Sequence, residues 1–437
     1  MTSQLPPITY RKYLVPYVLV TSLFFLWAIG VNLNDILIPH LKKAFGLTDF
    51  QSSFIQVAFF AGYFLGALPA GRLMEKIGYK GGILIGLLIC ATGALLFIPA
   101  SLLGAYGFFL LALFVMSSGQ SFLEVGANPY VTVLGPSETS ERRLNLAQSF
   151  NAVGAAITPF LGALFILSGV EYSAAQLSAL SHAQLAAYHA KEAGMVRVPY
   201  LVIAGIFLVV AALIYFSNLP EVGSEEVAKE NGLPDKGLKG LLAHPHLIRG
   251  VVAQFFYVGA QVGVGSFVIR FAKHVMPDTP EKMAAQFLVG HQVGFMIGRF
   301  AGSGIMKRVP APRLLAIFGV GASLSVAVGI TASGLTSVVA IVLVGFFNSI
   351  MFPTIFALSL KNLGGLTKRG SSLLVMSIIG GALIPLAMGR ISDASNIKLA
   401  FLVPLACYLY VIYFATLGYR PARALSVPQA AVAGEMK

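Results

Sequence analysis

Charged side chains are scarce in this sequence: Asp, Glu, Lys and Arg together make up 11% of its 437 residues. A soluble domain carries about 25% charged residues, because its surface has to be hydrated. Hydrophobic residues instead make up 57% of the chain, and the mean hydropathy is +0.81. The composition therefore excludes a soluble globular protein and predicts an integral membrane protein in a lipid bilayer.

Cysteine is equally rare, and the two residues present, Cys90 and Cys407, lie in apolar runs far apart in the sequence. We interpret them as small buried hydrophobic side chains rather than as a disulfide or a metal pair. The sequence shows no phosphate-binding GxxxxGK[ST] motif, no metal cluster and no nucleophile–base arrangement. We therefore expect neither an enzyme nor a bound cofactor. No cleavable signal peptide is evident, because the first apolar run is long enough to span a bilayer.

Uncharged runs recur at about the length that a helix needs to cross a bilayer, roughly 20 residues. Read against Gly, Pro and charged residues, they predict an all-α fold of twelve transmembrane helices. The predicted spans are 14–39, 50–71, 81–101, 106–132, 145–168, 198–218, 247–272, 283–305, 314–331, 337–360, 371–390 and 399–418. We expect an N-terminal six-helix bundle (1–218), a polar cytoplasmic linker (219–246) and a C-terminal six-helix bundle (247–437).

Lys and Arg are distributed unevenly between the predicted loops. If both termini are cytoplasmic, the cytoplasmic segments hold 20 of the 30 basic residues and the opposite side holds 8. Such a bias is typical of membrane proteins oriented in this way. Most of the net charge of +13 is then explained by basic residues that set the orientation of the protein in the membrane. This explanation disfavours nucleic-acid binding. We expect a multi-pass protein of the cell inner membrane that functions as a monomer.

The two halves resemble each other. Three pairs of stretches match in the same order along the chain: "GYFLG" (62–66) with "GFMIG" (294–298), "NPYVTVLG" (128–135) with "FPTIFALS" (352–359), and Gly154 with Pro159 against Gly380 with Pro385. Parallel repeats are typical of transporters whose halves rock around a site near the middle of the membrane. The repeats therefore predict two pseudo-symmetric bundles.

The stretch "GRLMEKIGYK" (71–80) resembles the signature loop of the major facilitator superfamily. Its glycines permit tight turns, and its charges can bridge neighbouring helix ends in one conformation. The predicted gating residues are Gly71, Glu75, Lys76, Gly78, Lys80 and Arg143. A basic loop that only sets the topology is the alternative. The matching stretch of the second half, "GSGIMKRVPAPR" (302–313), lacks the acid.

Two acids stand alone in apolar surroundings. Glu124 is the only charged residue between Lys80 and Glu138, and Asp35 is the only acid of the first span. Ionisable groups inside spanning helices are costly and usually line a cavity or an ion path. Burial favours the neutral form of a carboxyl, which brings proton exchange toward physiological pH. We predict proton coupling by Glu124 and Asp35; a structural role satisfied by hydroxyls or amides is the alternative.

Amide side chains surround these acids at helical spacing. Carboxamides both donate and accept hydrogen bonds, which suits the hydroxyls of a sugar. The predicted substrate-binding residues are Asn32, Gln120, Asn128, Gln148, Asn151, Gln254, Tyr257, Gln261 and Asn348. Amides can instead hold helices together. The second half has no comparable acid. We expect Arg270, His291 and Arg299 near helix ends or in helix–helix contacts; a place in the cavity is the alternative.

The residues quoted above, together with seven longer stretches, resemble the fucose:proton symporter family of the major facilitator superfamily. The stretches are "NLNDILIP", "GYFLGALPAGRLMEKIGYK", "FLEVGANPYVTVLGP", "RLNLAQSFNAVGA", "QFFYVGAQVG", "FPTIFALSLKNLG" and "GSSLLVMSIIGGALIP". The resemblance covers nearly the whole chain. It implies alternating access, sugar uptake driven by protons, and roles in sugar recognition and proton coupling for the acids that match Asp35 and Glu124.

The substrate implied is a neutral monosaccharide, either L-fucose or a hexose of the glucose and galactose type. "GVGSFVIRF" (263–271) and "AFLVPLACYLY" (400–410) resemble the glucose/galactose and amino-sugar branches, whereas "LSALSHAQLAAYHA" (177–190) resembles the fucose branch. A proton-driven drug or sugar exporter of the same superfamily is the alternative. The aligned amides disfavour a drug exporter, since its cavity should be larger and more aromatic.

Overall fold

The fold is built from helices throughout the part of the chain that the structure describes. This computed structural model describes residues 6–166, 176, 179–220 and 237–421, and it contains no strand in these ranges. The helices are α1 (Leu14–Phe45), α2 (Asp49–Leu103), α3 (Tyr106–Val133), α4 (Ser140–Phe165), α5 (His182–Gly194), α6 (Arg197–Phe216), α7 (Gly237–Leu242), α8 (Pro245–Val275), α9 (Glu281–Ile305), α10 (Ala311–Thr331), α11 (Gly334–Asn348), α12 (Met351–Ser359), α13 (Thr367–Met376), α14 (Gly380–Ala394), α15 (Ile397–Ala400) and α16 (Leu402–Tyr413).

These helices form twelve segments long enough to cross a membrane, six on each side of the undescribed stretch 221–236, as the sequence predicts. Helix α2 supplies two segments, and the pairs α11–α12, α13–α14 and α15–α16 each supply one. By length and apolarity alone, nine helical stretches of the described residues qualify as membrane spans, with α2 counted once. Helices α4 and α9 fall short, because they carry the polar side chains of the site described below.

The predicted loop 71–80 is largely helical, which corrects the sequence-based boundary. Helix continues through this stretch and is interrupted only at Gly78, where φ is 77° and ψ is 177°. This region of backbone conformation is open to glycine and strained for other residues. The chain reverses there, since Gly62 and Gly93 pack against the neighbouring residues Ser117 and Met116 of α3. One glycine therefore joins two antiparallel arms of α2.

The internal repeat appears again in the packing of the helices. Gly154 of α4 lies against the backbone carbonyl of Phe25 in α1, and Gly380 at the start of α14 lies against the carbonyl of Phe255 in α8. A Cβ at either glycine would collide with that carbonyl. Small residues allow such close approach between helices in a membrane. Each half therefore contains the same close helix–helix contact.

One face of the molecule carries the N-terminal segment and both ends of the 221–236 stretch; we call it the terminal face and its opposite the distal face. Arg143 is fully buried on the terminal face. Its guanidinium donates to the carbonyl oxygens of Val131 at 2.6 Å and Ile8 at 2.8 Å, and to the Thr139 hydroxyl at 3.0 Å. The Thr139 hydroxyl donates in turn to the Pro7 carbonyl at 3.1 Å. The first described residues are therefore fastened to the connection between α3 and α4.

Candidate functional site

A chain of hydrogen bonds runs from Glu124 in the N-terminal half to Arg299 in the C-terminal half. The Asn128 amide nitrogen donates to the Glu124 carboxylate at 2.6 Å, and the Gln148 amide nitrogen donates to the Asn128 amide oxygen at 2.9 Å. Arg299 closes the chain, because its Nη1 donates to the Gln148 side-chain oxygen at 2.8 Å. Helices α3 and α4 supply the carboxyl and the two amides, and α9 supplies the guanidinium.

Every donor in this chain points toward the carboxylate. Aligned hydrogen bonds polarise one another, so a positive group at one end and a negative group at the other reinforce the series. Glu124 and Arg299 are only 8% and 4% exposed, and they are close enough to interact electrostatically. A buried charge that loses its partner is strongly destabilising. Each of the two charges therefore needs the other, and the two amides connect them.

The remaining predicted residues of the N-terminal half lie around this chain. Gln120 is fully buried against Gly30 of α1, and neither of its amide atoms has a hydrogen-bond partner. Asn32 donates to the Ala28 carbonyl at 2.7 Å, and Asn151 donates to the Phe24 carbonyl at 3.2 Å. Asp35 belongs to α1, but its side chain lies outside the described residues. The proton-coupling role of Asp35 stays a prediction.

In the C-terminal half, the predicted residues lie on α8 and α11. Gln254 and Asn348 are fully buried, and their amide atoms have no hydrogen-bond partners. Tyr257 donates its hydroxyl to the Asn348 backbone carbonyl at 3.0 Å and is close enough to Arg299 to interact with it electrostatically. Gln261 lies one turn further along α8 and is partly exposed. Arg299 therefore lies where the polar groups of both halves meet.

Some of these side chains are partly exposed. Asn151 and Gln261, which lie nearer the distal ends of α4 and α8, are partly exposed, whereas Asn128, Gln254 and Asn348 are fully buried. Gln120 is fully buried as well.

The terminal face is closed by ion pairs between the two halves. Glu75 at the end of the first arm of α2 pairs with Arg369 of α13 through both carboxylate oxygens, one of them accepting from Nη2 at 2.8 Å. Glu141 of α4 pairs with Lys361, which follows α12. The Ser371 hydroxyl donates to the Val125 carbonyl at 2.8 Å between the same halves. Two-point Arg–carboxylate pairs are among the stronger and more directional ionic contacts.

The other predicted gating residues have different surroundings. Gly71 lies against Ser372 of α13, so a side chain there would push the halves apart. Lys76 is exposed. Lys80 donates to the carbonyls of Tyr215 and Ser217 at 2.8 and 2.7 Å, which places it at the end of α6 inside the N-terminal half. Arg143 likewise bonds within that half. The contacts of Lys80 and Arg143 thus lie away from the interface between the halves.

We expect Glu75→Gln to open the terminal face in a larger fraction of molecules, because it removes the charge that holds Arg369. A cysteine placed at Ser371 reports this opening, since Cys90 and Cys407 are both buried and should give little background. Maleimide labelling of purified protein should be several-fold faster with Glu75→Gln, in line with one partly exposed, charge-assisted contact.

Glu138→Gln is the matched control, because Glu138 is an exposed acid near the same face and its removal changes the net charge equally. Equal labelling rates for the Glu75 and Glu138 variants would show that the Glu75–Arg369 pair does not hold the terminal face closed.

Sequence reasoning did not place Arg299 and Arg369 among the site and gate residues. Arg299 was expected near a helix end or in a helix–helix contact, with a place in the cavity as the alternative. It makes a contact with Gln148 of α4, six residues before the end of its own helix. Arg270 is exposed over the Phe267 ring, and His291 is buried between α9 and α11. The signal available was Arg299 itself, a guanidinium that follows the repeated "GFMIG" stretch inside an apolar helix.

Comparison with known proteins supplies an independent line of observation. A model of the Major Facilitator Superfamily matches residues 20–387. The chain is 43% identical over 408 residues to the L-fucose-proton symporter of Escherichia coli K12, with 93% of each chain covered. It is 42% identical over 399 residues to the glucose/galactose transporter of Brucella abortus biovar 1, covering 91% of this chain and 92% of that one.

Solved structures show the same similarity. A crystal structure of the E. coli fucose:proton symporter FucP, in a single-residue variant, matches with a TM-score of 0.85 at 41% identity, covering 93% of this chain and 99% of that one. A crystal structure of the Major Facilitator Superfamily transporter FucP in the outward conformation matches with a TM-score of 0.82 at the same identity and coverage. The proton:xylose symporter XylE, bound to a bromodeoxyglucose, matches with a TM-score of 0.70 at 11% identity, which shows a shared fold. It covers 93% of this chain and 95% of that one.

Proposed function

Since the chain belongs to the Major Facilitator Superfamily, we propose that it imports a neutral monosaccharide together with a proton by alternating access. Relatives at 42–43% identity carry the names of an L-fucose-proton symporter and a glucose/galactose transporter. The substrate is therefore L-fucose or a hexose of the glucose and galactose type. The alternative from the sequence is an exporter of drugs or sugars. The names of these relatives do not describe an exporter.

The observation that carries the proposal is the hydrogen-bond chain from Arg299 to Glu124. Its inter-half bond runs from Arg299 to Gln148, and protonation of Glu124 removes the negative charge that aligns the series and so weakens it. The weakened chain leaves the amides of Asn128 and Gln148 free to bond sugar hydroxyls, which both donate and accept. Proton and sugar then favour the same rearrangement of the halves, which is the thermodynamic requirement for coupling.

Binding residues from both halves surround this chain. Asn151 and Gln261 are partly exposed, so they are the first contacts for an entering sugar, while Asn32, Gln120, Gln254, Tyr257 and Asn348 complete the set. Asp35 is a second carboxyl for proton or sugar binding. The protein uses no cofactor besides the coupling proton and binds no nucleic acid.

The distal face is then the outside of the cell inner membrane, and the terminal face with both chain termini is cytoplasmic. The Glu75–Arg369 and Glu141–Lys361 pairs close the cytoplasmic entrance while the site is open outward. They must separate for the sugar to leave, so the protein alternates between two sets of contacts. A monomer contains both halves and suffices for this cycle.

Uptake into proteoliposomes tests the function directly. We expect radiolabelled L-fucose, D-galactose or D-glucose to accumulate only when the outside is made more acidic than the inside, and accumulation to collapse with a protonophore. Unlabelled sugars of the panel should compete according to their affinity. Uptake that is independent of the pH gradient would contradict proton symport. Proton-driven loss of preloaded sugar would indicate an exporter.

A further inference from the structure

Three buried polar side chains of the C-terminal half have no hydrogen bonds of their own. They are Gln254 on α8, Asn348 at the end of α11 and Tyr408 on α16, and none of them is measurably exposed. Four amide atoms and one hydroxyl are left without partners. Polar groups buried in a protein nearly always have a partner, because an unsatisfied group loses its hydration without compensation. Such a cluster calls for a ligand that brings hydrogen bonds.

Tyr408 is the member of this cluster that the sequence pattern does not single out, since it lies in an aromatic stretch of the last helix. Its hydroxyl is close enough to the Asn348 side-chain amide to interact with it, but the two groups do not meet the geometry of a hydrogen bond. Tyr257 holds the backbone of Asn348 from α8. The Asn348 backbone is therefore fixed while its amide remains free to rotate, and the nearest hydroxyl is that of Tyr408.

We propose that Tyr408 is a positioning residue for sugar binding: when a sugar hydroxyl bonds the Asn348 amide, the Tyr408 hydroxyl aligns with the opposite side of that amide and holds it in the binding orientation. An amide has two donors and an acceptor that accepts twice, so it can serve both partners at once. The proposal rests on the proposed function, because it assigns Asn348 to the transported sugar. It extends the site to the last helix.

A positioning role for Tyr408 differs in its energetics from a purely structural one. A hydroxyl that makes no hydrogen bond in the empty protein contributes little to its stability, and replacing it with a hydrogen relieves an unsatisfied group. The same hydroxyl contributes one hydrogen bond once the sugar is bound. Tyr408→Phe should therefore weaken sugar binding while leaving the empty protein at least as stable as before.

The experiment compares Tyr408→Phe with Tyr410→Phe. Tyr410 lies two residues further along α16, where its ring packs on Phe256 and Tyr413, with ring centres 5.3 and 5.5 Å apart. We expect Tyr408→Phe to raise the KM of pH-driven uptake about five- to tenfold, the effect of one neutral hydrogen bond, with Vmax nearly unchanged. Tyr410→Phe should change neither quantity.

Two further measurements complete the test. The melting temperature without sugar should be equal or higher in Tyr408→Phe, and the KM effect should disappear when Asn348→Ala is already present, since the two residues act through one contact. An unchanged KM, a lower melting temperature or a full additional effect in the Asn348→Ala background would each overturn the proposal. Absence of proton-driven sugar uptake by the unaltered protein would reject the proposed function instead.

Discussion

The Glu124→Gln variant is expected to exchange sugar across the membrane at close to the normal rate and to lose accumulation against a gradient. Glutamine resembles the protonated carboxyl in shape and carries no charge, so the Asn128 amide is held only weakly and the sugar-binding form persists. It cannot release a proton, so a pH gradient no longer drives the cycle. The variant leaves the Arg299 guanidinium without its acidic partner, as protonation of Glu124 does in the normal cycle.

Two assays on the same proteoliposomes separate these effects. Counterflow exchange of labelled for unlabelled sugar should survive in Glu124→Gln, whereas pH-driven uptake should stop at equal concentrations inside and outside. With one proton per sugar, a gradient of one pH unit supports about tenfold accumulation by the unaltered protein. Asp278→Asn, which removes an exposed acid on the distal side, is the control. Continued accumulation by Glu124→Gln would transfer the coupling role to Asp35.

Arg299→Gln should reduce pH-driven uptake by about a hundredfold or more, because it leaves the buried carboxylate of Glu124 without its positive partner, a loss of about 3–5 kcal/mol. Gln148 also loses its donor from the other half. Initial rates of uptake across a range of external pH values measure the effect. Arg270→Gln removes an exposed arginine of the same half and should leave the rates unchanged.

The double variant Glu124→Gln with Arg299→Gln tests the physical cause. Once the carboxylate is gone, loss of the guanidinium no longer leaves a buried charge unpaired, so exchange should recover relative to Arg299→Gln alone. Exchange that is as poor in the double variant as in Arg299→Gln would show that Arg299 acts on the sugar directly rather than through Glu124.

The course of the chain through the membrane could be read from the sequence, because uncharged runs bounded by Gly, Pro and charged residues mark the crossings, including α4 and α9, which hydropathy alone does not identify. The twelve spans follow from this, and the repeated Gly154 and Gly380 contacts follow from the internal similarity. The details of the turn at Gly78 could not be read in this way. A glycine next to charged residues is typical of a loop, yet the helix continues to this residue and resumes directly after it.

Residues of the site could be proposed in both halves, but their contacts could be predicted only within one half. Glu124 and Asn128 are four residues apart on one helix, so their hydrogen bond follows from helical geometry. The bond between Gln148 and Arg299 joins residues 151 positions apart, and helical spacing carries no information about such a pair. The same limit applies to Glu75 and Arg369, which are separated by 294 positions. Contacts between the halves depend on their relative placement, which no local pattern encodes.

The anchorage of the N-terminal segment determines when this part of the molecule can be completed during synthesis. Ile8 and Thr9 leave the ribosome early, but the groups that bind them, Arg143 and the Leu134 carbonyl, lie 135 and 125 positions later in the chain. The segment therefore has nothing to dock onto until the fourth and fifth crossings have entered the bilayer. Its docking reports that the first half has assembled, and a bulky fusion placed directly before Ile8 would interfere with assembly rather than with transport.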